Sequence, residues 1–160
     1  HPRKGILLSS QCHPNLFGKV NGTPVELFHN YTTTALGVVK PKDPTSVHFV
    51  GGGNTIGLAS IAVAYSKGHR MFHLYGYDSS FRAGKHHAYT QALNDSDRVI
   101  EATVCGSTFQ AAGWMVDQVN QFQELATQLS NAGCVLTIHG DGLLPTVARE
   151  MARQLQENGE

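Results

Sequence analysis

Three glycines followed by two polar residues form the segment of this sequence best suited to bind an anion: Gly51, Gly52, Gly53, Asn54 and Thr55. Because glycine lacks a side chain, the backbone N–H groups of such a loop can approach a phosphate closely, and a following helix N-terminus adds partial positive charge. The same glycines could instead serve only a tight strand-to-helix turn. Their spacing matches a dinucleotide-binding motif only approximately and lacks the Lys-Ser/Thr of a P-loop. The segment therefore indicates an anion site without identifying a cofactor.

Asp78 is the second candidate, because it follows a run of apolar residues and precedes two serines. Its carboxylate could bind a ribose hydroxyl, hold Mg²⁺ on a phosphate, or orient a catalytic base. The alternative is an Asx-turn or a helix cap. His86 and His87 lie on the segment after Asp78, where an imidazole could act as general acid or base near neutral pH. The alternative for both is an ordinary solvated surface histidine.

A third polar segment, His139-Gly140-Asp141-Gly142, lies between a buried strand and a helix. Glycines on both sides of an acid indicate a close approach of the backbone to another group. We expect His139 and Asp141 to contribute to cofactor binding, and the alternative for Asp141 is the N-cap of the following helix.

Hydrophobic patterning predicts the elements that position these residues. It predicts a helical turn near Thr34–Val38 and a long loop over Phe81–Asp97. Asn54 or Thr55 should cap the helix after the glycines, and Gly68 should end it. The predicted strands are Gly5–Ser10, Pro24–His29, Val47–Val50, Arg70–Tyr75 and Cys134–Ile138, a hairpin pairs Arg98–Val104 with Thr108–Ala111, and the helices are Asn15–Val20, Ile56–Lys67, Trp114–Ser130 and Leu143–Gln156.

This order of elements predicts an α/β, Rossmann-like fold: a mainly parallel sheet with helices on both faces and a small β-hairpin insertion. We expect residues 1–160 to form a single domain. In open α/β sheets, ligands bind at the carboxyl ends of the strands. Polar residues follow five of the predicted strands, and we expect these five loops to converge on one small-molecule site: Gln11-Cys12-His13, Asn30-Tyr31, Gly51–Thr55, Gly76–Ser80 and His139–Gly142.

Composition excludes several classes of partner. The 160 residues are 41% hydrophobic and 15% charged, and twelve basic residues balance twelve acidic ones. Because the basic residues are scattered, we expect neither nucleic acid nor an anionic membrane surface as a partner. Three widely spaced cysteines indicate reduced thiols and a cytoplasmic protein. We expect no membrane span, because no apolar run is long enough to cross a bilayer. The oligomeric state stays open, and a first residue other than Met allows the chain to be a fragment.

A resemblance to the MptE-like family is carried by GGGNTIGLASIAVAYSKGHRMFHLYGYDSS, by KHHAY and LND, by the helix that begins at Trp114, and by HGDGLL. It covers roughly Gly5 to Arg153. The family includes 6-hydroxymethylpterin diphosphokinases and motility accessory factors that resemble glycosyltransferases. The resemblance implies a Rossmann-like fold related to that of sialyltransferases. It also implies a nucleotide-dependent transferase that moves diphosphate from ATP to a pterin alcohol, or a sugar from a nucleotide-sugar to an acceptor.

The resemblance carries over to Gly51–Thr55 and Asp78, and extends to His86, His87 and Asp141. This sequence departs from the family pattern in lacking a Gly-Pro-Ser-like phosphate loop before Gly5. It also reads Cys12-His13-Pro14 where diphosphokinase-like members have an acidic residue before proline. The cofactor that we expect is accordingly a nucleotide, ATP or a nucleotide-sugar, with Mg²⁺ as an accompanying ion.

Two alternatives compete with the transferase. An NAD(P)-dependent oxidoreductase is one, because Asp78 lies about 25 residues after the glycines, near the spacing of a ribose-binding acid. A non-catalytic small-molecule-binding module is the other, since the phosphate loop before Gly5 is missing.

Overall fold

The structure is a computed structural model that describes residues 5–20, 22–31, 49–82, 85 and 96–157. Strands and helices alternate over most of these residues, and the order along the chain is β1 (Ile6–Ser9), α1 (Pro14–Phe17), β2 (Val25–Asn30), β3 (Phe49–Val50), α2 (Ile56–Ser66), β4 (Met71–Leu74), β5 (Val99–Val104), β6 (Ser107–Ala112), α3 (Gly113–Asn131), β7 (Val135–Ile138) and α4 (Leu143–Glu157).

β1, β2 and β3 form a parallel sheet with β2 in the middle. Ile6 pairs with Val25 at one end of the sheet, and Asn30 pairs with Val50 at the other. Since all three strands run the same way, the segments that follow Ser9, Asn30 and Val50 leave the sheet at the same edge.

A second parallel sheet pairs β4 with β7, from Met71 opposite Val135 to Leu74 opposite Ile138. The chain between these strands contains the hairpin of β5 with β6 and the long helix α3. The hairpin turns at Cys105 and Gly106, whose φ angles are 50° and 76°. Positive φ at both central residues is typical of the two-residue turns that match the twist of antiparallel strands.

The larger hydrophobic core lies between the β4–β7 sheet and helices α3 and α4. Phe72 and Leu74 are buried, whereas Met71 and His73 are exposed, so β4 packs one face against the core. The largest fully buried side chains are Phe122, Leu58, Leu144 and Pro145. Phe122 comes from α3 and Leu144 from α4, and both belong to this core cluster.

A smaller core cluster, Phe28, Val50 and Val63, lies against the β1–β3 sheet. Val63 belongs to α2, and the same helix contributes Leu58 to the larger cluster. Helix α2 therefore contributes to both core clusters, and the segment Gly51–Thr55 lies immediately before it in the chain.

The mixed α/β class, the parallel strands and the hairpin are confirmed. The described strands form two parallel sheets, and no pairing between β3 and β4 joins them within the described residues.

Helix α1 begins at Pro14 and ends at Phe17, which is shorter than the predicted Asn15–Val20. The predicted turn at Thr34–Val38 and most of the loop Phe81–Asp97 lie outside the described residues. The Rossmann-like arrangement with helices on both faces stays a prediction.

Candidate functional site

A cleft of about 680 Å³ lies at the carboxyl ends of β1, β2 and β3. This volume is in the range of small-molecule sites. None of the residues that line it is Asp, Glu, Lys, Arg or His. The residues lining this strand-end cleft are Ser9, Gln11, Cys12, Asn30, Tyr31, Val50, Gly51, Gly52, Gly53, Asn54, Thr55, Ile56 and Gln121.

The three glycines of the cleft differ in whether the fold requires glycine at their positions. Gly52 and Gly53 have φ angles of 148° and 105°, which residues other than glycine rarely adopt. A Cβ at Gly52 would lie 2.9 Å from the carbonyl oxygen of Leu58, and one at Gly53 would lie 2.7 Å from Gln121 Oε1. These two glycines are therefore required by the fold itself. A Cβ at Gly51 would meet nothing within 4 Å, so packing does not require glycine there.

Thr55 caps α2, as one of the two predicted capping residues. Its Oγ1 accepts a hydrogen bond from the backbone N–H of Leu58 at 3.3 Å. The preceding N–H, that of Asn54, donates to Gln121 Oε1 at 2.8 Å. The side-chain amide of Gln121, on α3, thus already accepts a hydrogen bond from one of the backbone N–H groups predicted to bind an anion.

Asn30 places an unpaired acceptor at the cleft. Its Nδ2 donates to Gln11 Oε1 at 2.8 Å, whereas its Oδ1 is buried and has no hydrogen-bond partner in the described structure. A buried acceptor without a partner costs about 1–3 kcal/mol. A ligand hydroxyl or amino group that donates to this oxygen would recover that free energy.

The segment Gly76–Ser80, which we call the acidic loop, follows β4 at the corresponding edge of the second sheet. The Asp78 side chain is half-buried, and its carboxylate forms no hydrogen bond or ion pair within the described ranges. The backbone of the loop is occupied instead: Leu144 N–H donates to Asp78 O at 3.1 Å. Ser80 Oγ accepts from Leu143 N–H at 3.2 Å. The acidic loop therefore caps α4 and leaves the Asp78 carboxylate free to bind a ligand.

The two glycines around Asp141 are explained by contact with Asp78. A Cβ at Gly142 would lie 2.6 Å from Asp78 O, and one at Gly140 would lie 2.9 Å from Asp78 Oδ1. The close backbone approach predicted for this segment is present, and the group approached is Asp78.

Asp141 itself is exposed, and its carboxylate lies 3.7 Å from Arg82. The first two N–H groups of α4 bond to the acidic loop, so the alternative interpretation of Asp141 as the N-cap is not supported. His139 packs against Tyr75, with ring centroids 4.1 Å apart. Neither His139 nor Asp141 lines the strand-end cleft.

Helix α3 connects the strand-end cleft to the acidic loop. Gln118 Nε2 donates to Thr55 Oγ1 at 3.2 Å, and Ser79 Oγ donates to Gln118 Oε1 at 3.2 Å. Tyr77 adds a second connection, because its hydroxyl donates to Gly57 O at 2.9 Å. Burial raises the pKa of the Tyr77 phenol, so this hydroxyl keeps its proton at neutral pH.

The predicted convergence of five loops is therefore found as two adjacent groups. The segments after β1, β2 and β3 surround the strand-end cleft, whereas the segments after β4 and β7 pack on each other around Asp78. His86 and His87 lie outside the described residues. Gln118 and Gln121 were not among the predicted site residues, because polar positions on an amphipathic helix ordinarily face solvent.

No protein-family model, no curated protein and no solved structure matches this chain. The resemblance described above accordingly stays a hypothesis.

Within the described ranges, none of the helices combines the length and the apolar composition needed to cross a bilayer. The same residues contain no group of three or more His, Cys, Asp and Glu side chains placed to hold a metal ion.

Proposed function

We propose that this chain is a Rossmann-like nucleotide-binding domain of a nucleotide-dependent transferase, with the phosphates of the nucleotide bound at Gly51–Thr55. The observation that carries the proposal is the 680 Å³ cleft at the ends of three parallel strands, lined by this segment. Parallel strand ends and a helix N-terminus are a recurrent combination in phosphate and nucleotide sites.

The lining of the cleft favours polar recognition without a fixed positive charge. Backbone N–H groups of the glycine segment and the N-terminus of α2 would stabilise phosphate oxygens. The unpaired Asn30 Oδ1 would accept a hydrogen bond from a ribose hydroxyl or a base amino group. No Lys or Arg lines the cleft, so the remaining phosphate charge would need a cation.

Asp78 fits the role of a single carboxylate ligand to Mg²⁺. Mg²⁺ in phosphate sites commonly binds one or two carboxylates and completes its shell with phosphate oxygens and water. The carboxylate of Asp78 has no competing partner among the described residues. The ion would neutralise phosphate charge. The hydrogen bonds of Gln118 to Ser79 and to Thr55 would fix the position of the acidic loop relative to the glycine segment.

The reaction that we propose is diphosphate transfer from ATP to a pterin alcohol or glycosyl transfer from a nucleotide-sugar. In either reaction the protein would act mainly by positioning and by stabilising charge. His86 or His87 would accept the proton of the attacking hydroxyl.

Isothermal titration calorimetry tests the proposal with Mg²⁺-ATP, a panel of nucleotide-sugars, and NADH. We expect one ATP or nucleotide-sugar ligand to bind. Gly51→Val should weaken that binding at least about tenfold, because a side chain there occupies space that the phosphate needs while the fold tolerates it. Gly113→Val, at another glycine with open space around it, should not change the affinity. Binding of no nucleotide would refute the proposal, and binding of NADH alone would favour an oxidoreductase.

A non-catalytic binding module is the second candidate. It is favoured by the bond from Asn54 N–H to Gln121 Oε1, which satisfies a loop donor without any ligand. Nucleotide binding without turnover, in the presence of Mg²⁺ and acceptor alcohols, would distinguish this module from the transferase.

A further inference from the structure

Two histidines meet on the exposed face of the β4–β7 sheet. His73 lies on β4 and His139 directly follows β7. His73 Nδ1 and His139 Nε2 are 3.2 Å apart, and the ring centroids are separated by 5.5 Å. The strand-end cleft does not include either residue.

The sheet and one aromatic ring fix this geometry. His139 N–H donates to Leu74 O at 2.9 Å, so the residue continues the ladder of β7 beside β4. The ring of Tyr75 lies parallel to that of His139, with an interplanar angle of 3°. The paired strands therefore place both residues, and the Tyr75 ring stacks on the His139 imidazole, which reduces the ordering that a shared ligand would have to impose.

The separation of the two nitrogens suits coordination of one metal ion. Zn–N bonds of about 2.0–2.1 Å in tetrahedral geometry place two ligand nitrogens roughly 3.4 Å apart. The observed 3.2 Å is close to that value. The two nitrogens lie within hydrogen-bond distance, and the tautomers decide which of them donates. A metal ion would take the place of the proton and bind one lone pair from each imidazole.

We propose that His73 and His139 form a two-nitrogen site for a late first-row transition-metal dication, Zn²⁺ or Cu²⁺. Imidazole nitrogens prefer these ions over Mg²⁺, so the site is chemically distinct from the Asp78 carboxylate. No third His, Cys, Asp or Glu side chain joins the pair within the described chain. Water or a ligand from another molecule completes the coordination shell.

Calorimetric titration of the whole chain with Zn²⁺ tests the proposal, because His73→Ala and His139→Ala each remove one ligand. The sequence has nine histidines, so the comparison between variants matters more than binding itself. Since two ligands act together, each variant should lose at least about tenfold in affinity at one site. Because the two histidines form one site, the Zn²⁺ affinity of the double variant should fall by less than about a further tenfold relative to the weaker single variant. His69→Ala removes another exposed histidine and should leave that site unchanged.

Cu²⁺ electron paramagnetic resonance gives a second readout. The wild type should show coupling to two imidazole nitrogens, and His73→Gln, which keeps a polar side chain on the strand, should show one at most. Far-ultraviolet circular dichroism checks that each variant is folded. Equal Zn²⁺ affinity in the wild type and the folded double variant, or an unchanged Cu²⁺ spectrum in His73→Gln, would overturn the proposal.

Discussion

Asp78 separates function from stability at the level of one side chain. Its backbone oxygen accepts a bond from Leu144 N–H, whereas its carboxylate has no partner in the part of the chain described. A carboxylate retained only for a turn or a cap would accept hydrogen bonds from nearby backbone N–H groups. The free carboxylate of Asp78 is what a ligand-binding role requires.

Asp78→Asn should therefore alter binding more than folding. We expect the free energy of unfolding to change by less than about 0.5 kcal/mol, because the amide is isosteric and the backbone bonds remain. The affinity for the Mg²⁺–nucleotide complex should fall at least about tenfold as a charged ligand is lost. Urea unfolding and calorimetry measure the two quantities. Asp117→Asn, at an exposed position of α3, should change neither. A large loss of stability without loss of affinity would assign Asp78 a structural role.

Cys105 offers a test of local electrostatics on the hairpin turn. Its thiol is exposed and lies 3.4 Å from Glu150 Oε2, and this hydrogen bond raises the pKa of the Cys105 thiol. The Glu150 carboxylate is itself stabilised by hydrogen bonds from Arg153 and Gln154, which lower the pKa of Glu150 to about 2. Glu150 is therefore charged throughout the range in which the thiol titrates.

Near pH 8 the thiol of Cys105 should react with iodoacetamide more slowly than other exposed cysteines do. The thiolate is the reactive species, and a raised pKa lowers its population. Glu150→Gln removes the negative charge, lowers the pKa of the thiol and should increase the rate severalfold. The rate at Cys105 is followed by mass spectrometry of the hairpin peptide. Glu101→Gln, which removes another exposed carboxylate of the hairpin, should leave the rate unchanged. An unchanged rate in Glu150→Gln would contradict this interpretation.

Among the elements, α4 depends on the acidic loop for its start. Its first N–H groups bond to Ser80 Oγ and Asp78 O, and the approach is close because Gly142 has no side chain. Burial of Leu143 and Leu144 then secures the first turn against the core. The start of α4 is therefore a tertiary contact and not a local cap.

Gly142→Ala should destabilise the protein by about 1–3 kcal/mol, because the new Cβ would overlap the backbone of Asp78. The measurement is urea unfolding followed by the fluorescence of Trp114, the single tryptophan. Gly113→Ala, where a Cβ meets nothing within 4 Å, should cause no loss. Equal stability of the two variants would show that α4 does not dock on the acidic loop in this way.

Gln118 of α3 should matter for both stability and binding, because it bonds to Thr55 and to Ser79. Gln118→Leu replaces the amide with a shorter apolar side chain and removes both bonds, so we expect a loss of about 1 kcal/mol in unfolding free energy. Nucleotide affinity should also fall, since the acidic loop loses its connection to the glycine segment. Gln128→Leu, at an exposed position on the same helix, serves as the control for urea unfolding and calorimetry. Wild-type behaviour of Gln118→Leu would contradict the role given to α3.

Sequence patterning predicted the elements well where the signal is local. The Thr55 cap, the strand β4 and the β5–β6 hairpin each depend on a few consecutive residues. The bonds of Gln118 and the capping of α4 by Ser80 could not be predicted, because each joins segments at least 39 residues apart. Nothing in the neighbouring residues specifies such partners.

On the scale of the whole molecule, α2 contributes to both hydrophobic core clusters. It contributes Val63 to the smaller core cluster and Leu58 to the larger one, and the strand-end cleft lies at its N-terminus. The sequence predicted which residues follow strands, but strand order and the division into two sheets depend on long-range pairing that local patterns do not encode. For the same reason Asp78 was expected in the cleft and lies in the adjacent group of loops.

The central claim, that nucleotide phosphates bind at Gly51–Thr55, is tested most directly by nuclear magnetic resonance. Isotope-labelled protein is titrated with Mg²⁺-ATP and with nucleotide-sugars while backbone amide shifts are recorded. We predict the largest changes at the amides of the glycine segment and at the side-chain amide of Asn30, with smaller changes in the acidic loop. Shift changes confined to α4 or to the β5–β6 hairpin, or none with any of these nucleotides, would contradict the claim.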